Sequence, residues 1–259
     1  MLFPHALKKS LGQHFLTDPT VCQKMVAELA TSPSDGILEI GPGAGALTRE
    51  LEHIPHNVLL LLEKDSYWAR VRQKEADQKT QCINQDALTF AFCRINHWIV
   101  VGNLPYNIAS PLLWNIVATC SLKAGLFMVQ KEVATRLCAQ PCSKAYGALS
   151  IWIQSFVTPR LCFCVAPGAF HPKPKVDSAV VAFTPQSQPL PSAHQKPLSI
   201  LLNACFQRRR KQMGTIAKQA NLPRLKEALE EQGIAPTRRP EELTLQDFHA
   251  LAAFFARIC

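Results

Sequence analysis

The tract Asn103-Leu104-Pro105-Tyr106 places two hydrogen-bond acceptors beside an aromatic ring. That combination suits work on an adenine amino group. The exocyclic amine of adenine is a poor nucleophile because its lone pair is delocalised into the ring. The Asn103 side-chain carbonyl and the Leu104 backbone carbonyl can both accept from the NH2, which favours a more tetrahedral nitrogen with its lone pair aimed at a methyl donor. Pro105 lacks a backbone N–H and fixes the local path. Tyr106 offers a face on which a flipped base can stack. Catalysis of this kind is mostly positioning, with no strong base or metal. The plainer alternative is a turn made by Asn and Pro with Tyr packed on it. The tract is more specific for amino-group methylation than for any one substrate.

Two further features fall at expected strand ends. Gly41-Pro42-Gly43-Ala44-Gly45 follows an apolar run, and its glycines allow positive φ and close approach of a ligand to the backbone. The Gly-x-Gly-x-Gly spacing departs from the dinucleotide fingerprint. Glu63 follows about 20 residues later, where a carboxylate accepts from ribose hydroxyls of an adenosine-containing ligand. Asp86, in Asn84-Gln85-Asp86-Ala87-Leu88, is placed to accept from an adenine amino group. Singly, the glycine turn could be a tight connection and each acid a capping residue. Their order at successive strand ends favours a ligand site.

These residues need a scaffold of alternating strands and helices. Asp18-Pro19 predicts a capped helix. Apolar runs at 37–40, 58–62, 82–83, 98–101 and 124–129 predict parallel strands, with helices over 46–51 and from Ser110-Pro111. A helix is expected over 146–157. Strands over 160–165 and 176–183 have no room for a crossover helix between them and should be antiparallel. The expectation is an α/β doubly wound sheet ending in an antiparallel pair. Residues 185–197 are rich in Pro, Gln and Ser and suggest a linker. Helical patterns follow, over 198–206 and 243–258. The expected organisation is a domain over 1–184, a linker over 185–197 and a helical domain over 198–259.

The chain has 259 residues, 47% hydrophobic, enough for a sizeable core. It has no apolar run of about 18 residues, and the first residues lack the apolar stretch of a secretory signal. A cytoplasmic protein without membrane association is expected. The ten cysteines show no Cys-x-x-Cys pair, so no metal site is expected. Cys162 and Cys164 alternate along a strand and are expected to be small buried hydrophobes. The net charge of +9 suits a polyanionic partner. Its densest run is Arg208-Arg209-Arg210-Lys211, a candidate for binding phosphate that could also be a solvated helix face.

Together these tracts resemble the small-subunit ribosomal RNA adenine N6,N6-dimethyltransferase family, nearly end to end. The resemblance is carried by Lys9-Ser10-Leu11-Gly12-Gln13-His14-Phe15-Leu16, Leu38-Glu39-Ile40-Gly41-Pro42-Gly43, Gln85-Asp86-Ala87 and Gly102-Asn103-Leu104-Pro105-Tyr106-Asn107-Ile108. It continues through Gln130-Lys131-Glu132-Val133-Ala134, Tyr146-Gly147 and Ala169-Phe170-His171-Pro172-Lys173-Pro174-Lys175-Val176-Asp177-Ser178-Ala179. It implies a class I, Rossmann-like S-adenosylmethionine methyltransferase domain and a small all-helical C-terminal domain that binds RNA. It further implies dimethylation of two adjacent adenosines near the 3′ end of small-subunit rRNA, in a pre-ribosomal particle. A monomer is expected. By position, His14 and Leu16 would touch the cofactor, Gly41 its methionine part, Glu63 its ribose, Asp86 its adenine, and Asn103 would lie near the methyl group. Phe170 would face Tyr106 across the target base. His14 stands where many bacterial members have Asn, and Gln212-Met213-Gly214 departs from the usual basic tract.

Three other readings compete. A large-subunit rRNA adenine N6-methyltransferase shares the glycine turn and the Asn-x-Pro-Tyr motif, but the later blocks favour the small-subunit family. A non-catalytic RNA- or DNA-binding factor on the same fold has no evident need for Glu63, Asp86, Asn103 and Tyr106 together. A NAD-dependent oxidoreductase is disfavoured by the glycine spacing.

Overall fold

The computed structural model describes residues 14–220 and 222–258. The tract Lys9-Ser10-Leu11-Gly12-Gln13 therefore lies outside the described residues, as do the first residues, which bear on a secretory signal. The chain divides into two compact units, one of residues 1–134 and 159–185, the other of residues 135–158 and 186–259.

In the first unit, β1 (Phe15–Leu16) leads to α1 (Pro19–Ala27). The Asp18 side chain caps this helix by accepting from the Thr20 amide, and Pro19 occupies the first turn. Then follow β2 (Gly36–Ile40), α2 (Ala46–Leu51), β3 (Val58–Glu63), α3 (Ser66–Glu75), β4 (Thr80–Asn84), β5 (Trp98–Asn103), α4 (Ala109–Thr119), β6 (Leu122–Gln130) and α5 (Lys131–Leu137), whose last three residues belong to the second unit. The late strands are β7 (Val157–Val165), β8 (Phe170–His171) and β9 (Ser178–Pro185). The main sheet runs β4-β3-β2-β5-β6-β9-β7. Strands β4, β3, β2, β5 and β6 are parallel, and β9 pairs antiparallel with β6. The loop-linked strands β7 and β9 are neighbours, as expected of a pair with no crossover helix.

Burial explains the apolar runs. β2 is buried along its whole length and β3 nearly so, because both lie inside the sheet. At the edges the pattern loosens, and this changes one expectation. Cys162 is only partly buried and Cys164 is exposed, because β7 is an edge strand. A small second sheet, which sequence periodicity did not suggest, pairs β1 with β8 antiparallel, Phe15 opposite His171 and Leu16 opposite Phe170.

The second unit contains α6 (Ala148–Gln154), α7 (Ser192–Phe206), α8 (Met213–Gln219), α9 (Leu225–Glu231) and α10 (Leu245–Ile258). Leu198, Leu201, Leu202 and Cys205 of α7 are buried, as are Phe248, Leu251 and Ala252 of α10, and Phe206 packs on Phe248 with ring centroids 6.0 Å apart. The Tyr146 hydroxyl donates to the Leu243 carbonyl at 3.1 Å. The division differs from the sequence expectation in three ways. The helix expected over 146–157 stops at Gln154, and Val157 already begins a strand. Residues 135–158 group with the C-terminal helices. The expected linker starts α7 at Ser192, since a proline in the second turn, Pro197, removes only one helical hydrogen bond and the buried leucines hold the rest.

Candidate active site

The carboxyl ends of β2, β3, β4 and β5 converge on one cavity. Among its lining residues are His14, Leu16, Gly41, Glu63, Asp86, Asn103, Leu104 and Tyr106. These are all the residues expected at the cofactor, together with those expected at the reacting amine.

The glycine turn forms the floor. Gly41, Gly43 and Gly45 have φ of +70°, +50° and +78°. Two of them also need the space: a Cβ on Gly43 would stand 2.4 Å from the Phe15 ring, and one on Gly45 would stand 1.9 Å from an Arg72 guanidinium nitrogen. Phe15 in turn packs on Trp68, with centroids 5.3 Å apart. The turn is thus clamped between the N-terminal strand and α3.

Glu63 closes β3 at 6% exposure. Its Oε2 accepts from the Gly43 amide at 3.0 Å and its Oε1 from the Asp65 amide at 2.7 Å. Burial raises this carboxyl, and the two amides oppose the rise. Each oxygen retains acceptor capacity toward the cavity. Asp86 is more open. Its Oδ2 pairs with Lys64 at 2.7 Å and its Oδ1 accepts from the Leu88 amide at 3.0 Å, so its carboxyl is held below the usual range, chiefly by Lys64. Nothing in the sequence pattern marks Lys64 for this role.

Asn103 ends β5. Its Nδ2 donates to the His14 carbonyl at 2.9 Å, and among the described residues Oδ1 is an uncommitted acceptor. The Leu104 amide donates to the Met128 carbonyl at 3.0 Å, and its side chain is buried. This fixes the Asn103–Leu104 peptide, directly before the Leu104 carbonyl that is the second candidate acceptor. The Tyr106 hydroxyl bonds the Ser178 hydroxyl at 2.7 Å, and burial raises its phenol despite that bond. Ser178 is fully buried at the start of β9, so a remote strand sets the tyrosine ring.

Two expected site residues are placed differently. Phe170 does not line the cavity. It is 4% exposed, in the core beside Leu16 and Val21, because strand alternation turns it inward while His171 faces out. The ring stacked on Tyr106 is His14, with centroids 5.4 Å apart. Arg209 is the second. Its guanidinium pairs with Glu241 and donates to the Lys144 carbonyl at 2.8 Å and the Ser143 carbonyl at 3.1 Å. It ties its own unit together, whereas Arg210 and Lys211 are exposed and Arg208 is half-buried.

One buried acid of the cavity was not expected from the sequence. Glu39 of β2 is 2% exposed, lines the cavity and accepts from the Thr48 hydroxyl at 2.6 Å. Burial pushes its carboxyl up to about 8. An apolar strand interrupted by a single Glu was the available signal.

The family model described as ribosomal RNA adenine dimethylase matches residues 4–257. A protein of Oleidesulfovibrio alaskensis named ribosomal RNA small subunit methyltransferase A is 45% identical over 254 residues, covering 95% of this chain and 90% of the relative. Its namesake from Nitratidesulfovibrio vulgaris is 45% identical over 258 residues, covering 96% of each. Among solved structures, a dimethyladenosine transferase from Plasmodium falciparum superposes with a TM-score of 0.80 at 26% identity, covering 94% of this chain and 98% of that one. The 23S rRNA methyltransferase ErmE shares the fold, with a TM-score of 0.69 at 20% identity, covering 92% of this chain and 98% of that one. The match of the family model over nearly the whole chain, with relatives this close over 90% and 96% of their lengths, shows that the chain belongs to the ribosomal RNA adenine dimethylase family.

Proposed function

We propose that this chain transfers methyl groups from S-adenosylmethionine to N6 of two adjacent adenosines near the 3′ end of small-subunit rRNA, giving N6,N6-dimethyladenosine during ribosome biogenesis in the cytoplasm. The substrate class rests on the relatives of 45% identity that are named for the small subunit. The observation that carries the chemistry is the fixed direction of the Asn103 amide, with Nδ2 held by His14 and Oδ1 left over among the described residues.

The cavity suits the methyl donor. Buried Glu63 has acceptor capacity for ribose hydroxyls, Asp86 can share its charge between Lys64 and an adenine amine, and the positive-φ glycines expose backbone where a side chain would intrude. His14, Leu16 and Gly41 would complete the set around it. When bound, S-adenosylmethionine supplies an electrophilic methyl on a sulfonium.

The protein's residues do the rest by positioning. Asn103 Oδ1 and the Leu104 carbonyl accept the two N6 hydrogens, pull the nitrogen toward tetrahedral geometry and aim its lone pair. Tyr106 carries the base, its ring held by Ser178. Transfer leaves the nitrogen with an excess proton, which departs to solvent because no strong base is needed for an alkylated ammonium. After one methylation a single hydrogen remains, so either acceptor suffices for the second. Arg208, Arg210 and Lys211 supply charge for phosphate. The chain acts as a monomer on a pre-ribosomal particle.

The test is methylation of undermethylated small ribosomal subunits by purified protein with labelled S-adenosylmethionine, followed by mass spectrometry of digested nucleosides. N6,N6-dimethyladenosine in small-subunit RNA is expected. Label confined to large-subunit RNA would overturn the substrate assignment, and no label in any RNA would overturn the catalytic one.

A further inference from the structure

His14 joins three interactions at the mouth of the reacting site. Its ring lies on Tyr106 with planes 27° from parallel. Its Nδ1 is 2.7 Å from the Pro172 carbonyl oxygen, and since a carbonyl only accepts, Nδ1 carries the proton. Its main-chain carbonyl holds Asn103. Rings with centroids 5.4 Å apart already touch, so no slot for a third ring exists between them. Both rings line the cavity. A base that stacks on the cavity face of Tyr106 needs the volume the imidazole fills.

We propose that His14 gates the target-base site: its imidazole stands in for the base on Tyr106, and only a base that stacks better displaces it. This rests on the reading that Tyr106 carries the target adenine. The displacement is local. Asn103 is held by the backbone of residue 14, so the ring can rotate about its Cα–Cβ bond without releasing the Asn103 amide. Pro172 is exposed, so water replaces the imidazole donor at its carbonyl. The gate weakens every base by the same factor, and a preference for purines comes from their larger face on Tyr106. It also keeps Tyr106 covered until RNA arrives.

The test uses the full chain saturated with S-adenosylhomocysteine and an RNA hairpin of the target sequence carrying 2-aminopurine at the target adenine, at low salt. Quenching of 2-aminopurine reports stacking on Tyr106. In His14→Ala the half-saturating protein concentration is expected to fall by about tenfold, the loss of one ring stack and one hydrogen bond that compete with the base. A hairpin with a fluorescent pyrimidine at the same place should gain by the same factor as the purine, and a gain for one base alone would overturn the gate. Weaker base binding in His14→Ala would make the imidazole a partner of the base, and unchanged binding would make it a bystander; either overturns the gate. A second measurement needs no His14 variant. The His14 Cε1 proton should show an upfield ring-current shift in the free protein that disappears with RNA, and its persistence in the complex would also overturn the gate. If Tyr106→Ala quenches the probe as well as wild type does, the reading of Tyr106 fails instead.

Discussion

Glu39→Gln asks whether the acid buried under the glycine turn is neutral in the folded protein. Its carboxyl is raised to about 8 by burial, against the Thr48 hydroxyl and the Arg72 charge, which lower it. In the unfolded chain it titrates near 4.5. As pH rises above 4.5 the unfolded state releases this proton while the folded state keeps it. The stability tied to the group is therefore complete below 4.5 and declines until the folded carboxyl ionises near 8. Between about pH 5 and about pH 8 the decline amounts to about 3 kcal/mol, at roughly 1.4 kcal/mol per unit. Glutamine cannot ionise, and its carbonyl still accepts from Thr48, so the variant lacks this slope. Urea unfolding of both proteins at the two pH values isolates it, because other titrating groups cancel in the difference. The variant should gain on wild type by about 3 kcal/mol from the lower to the higher pH. A pH-independent difference would refute the reasoning. It would mean that Glu39 is ionised in the fold, neutralised by Arg72, which is itself only 5% exposed.

Four other predictions concern separate parts of the molecule. Asn103→Ala should lower single-turnover methyl transfer about a hundredfold or more, by analogy with removal of one preorganised hydrogen-bonding group, while calorimetry shows cofactor affinity largely intact. Gly45→Ala should destabilise the first unit by about 2 kcal/mol or more through its positive φ and the overlap with Arg72; adding Arg72→Ala should relieve the overlap but not the backbone strain, as read by thermal unfolding. Arg209→Ala should cost about 2 kcal/mol in stability, discounted for its partial exposure. Neutralising Arg210 and Lys211 should leave stability unchanged and reduce the salt slope of RNA binding by nearly one for each phosphate that no longer meets a cation.

The contrast between Arg209 and its neighbours shows where the sequence stops being informative. Four consecutive cations look alike as a run. Their roles separate only when Glu241 and the carbonyls of residues 143 and 144 arrive from distant segments to engage one of them. The glycine turn, Glu63, Asp86 and Asn103 were legible for the opposite reason. The glycine turn, Glu63 and Asn103 lie at the ends of apolar strands and Asp86 just beyond the more polar β4, and the parallel order β4-β3-β2-β5 brings those ends together. Residues 185–197 misled because composition argues for a linker, while burial of leucines further along recruits the segment from Ser192 into a helix.

Phe170 and His14 carry the same lesson into the site. Both were tied to the site through a family pattern, and neither belongs to an element with a periodic signature. The pair β1 and β8, two residues each and far apart in the chain, decides both fates. Pairing Leu16 with Phe170 turns that ring into the core, and the adjoining His14 is left to reach Pro172 and cover Tyr106. A one-residue slip of this pairing would exchange the inward and outward side chains. It would present Phe170 to the surface and withdraw the carbonyl that orients Asn103. The Asn103 amide is therefore held beside a two-residue strand, and on the proposed reading the acceptor geometry at the adenine amine depends on that register as much as on Asn103 itself.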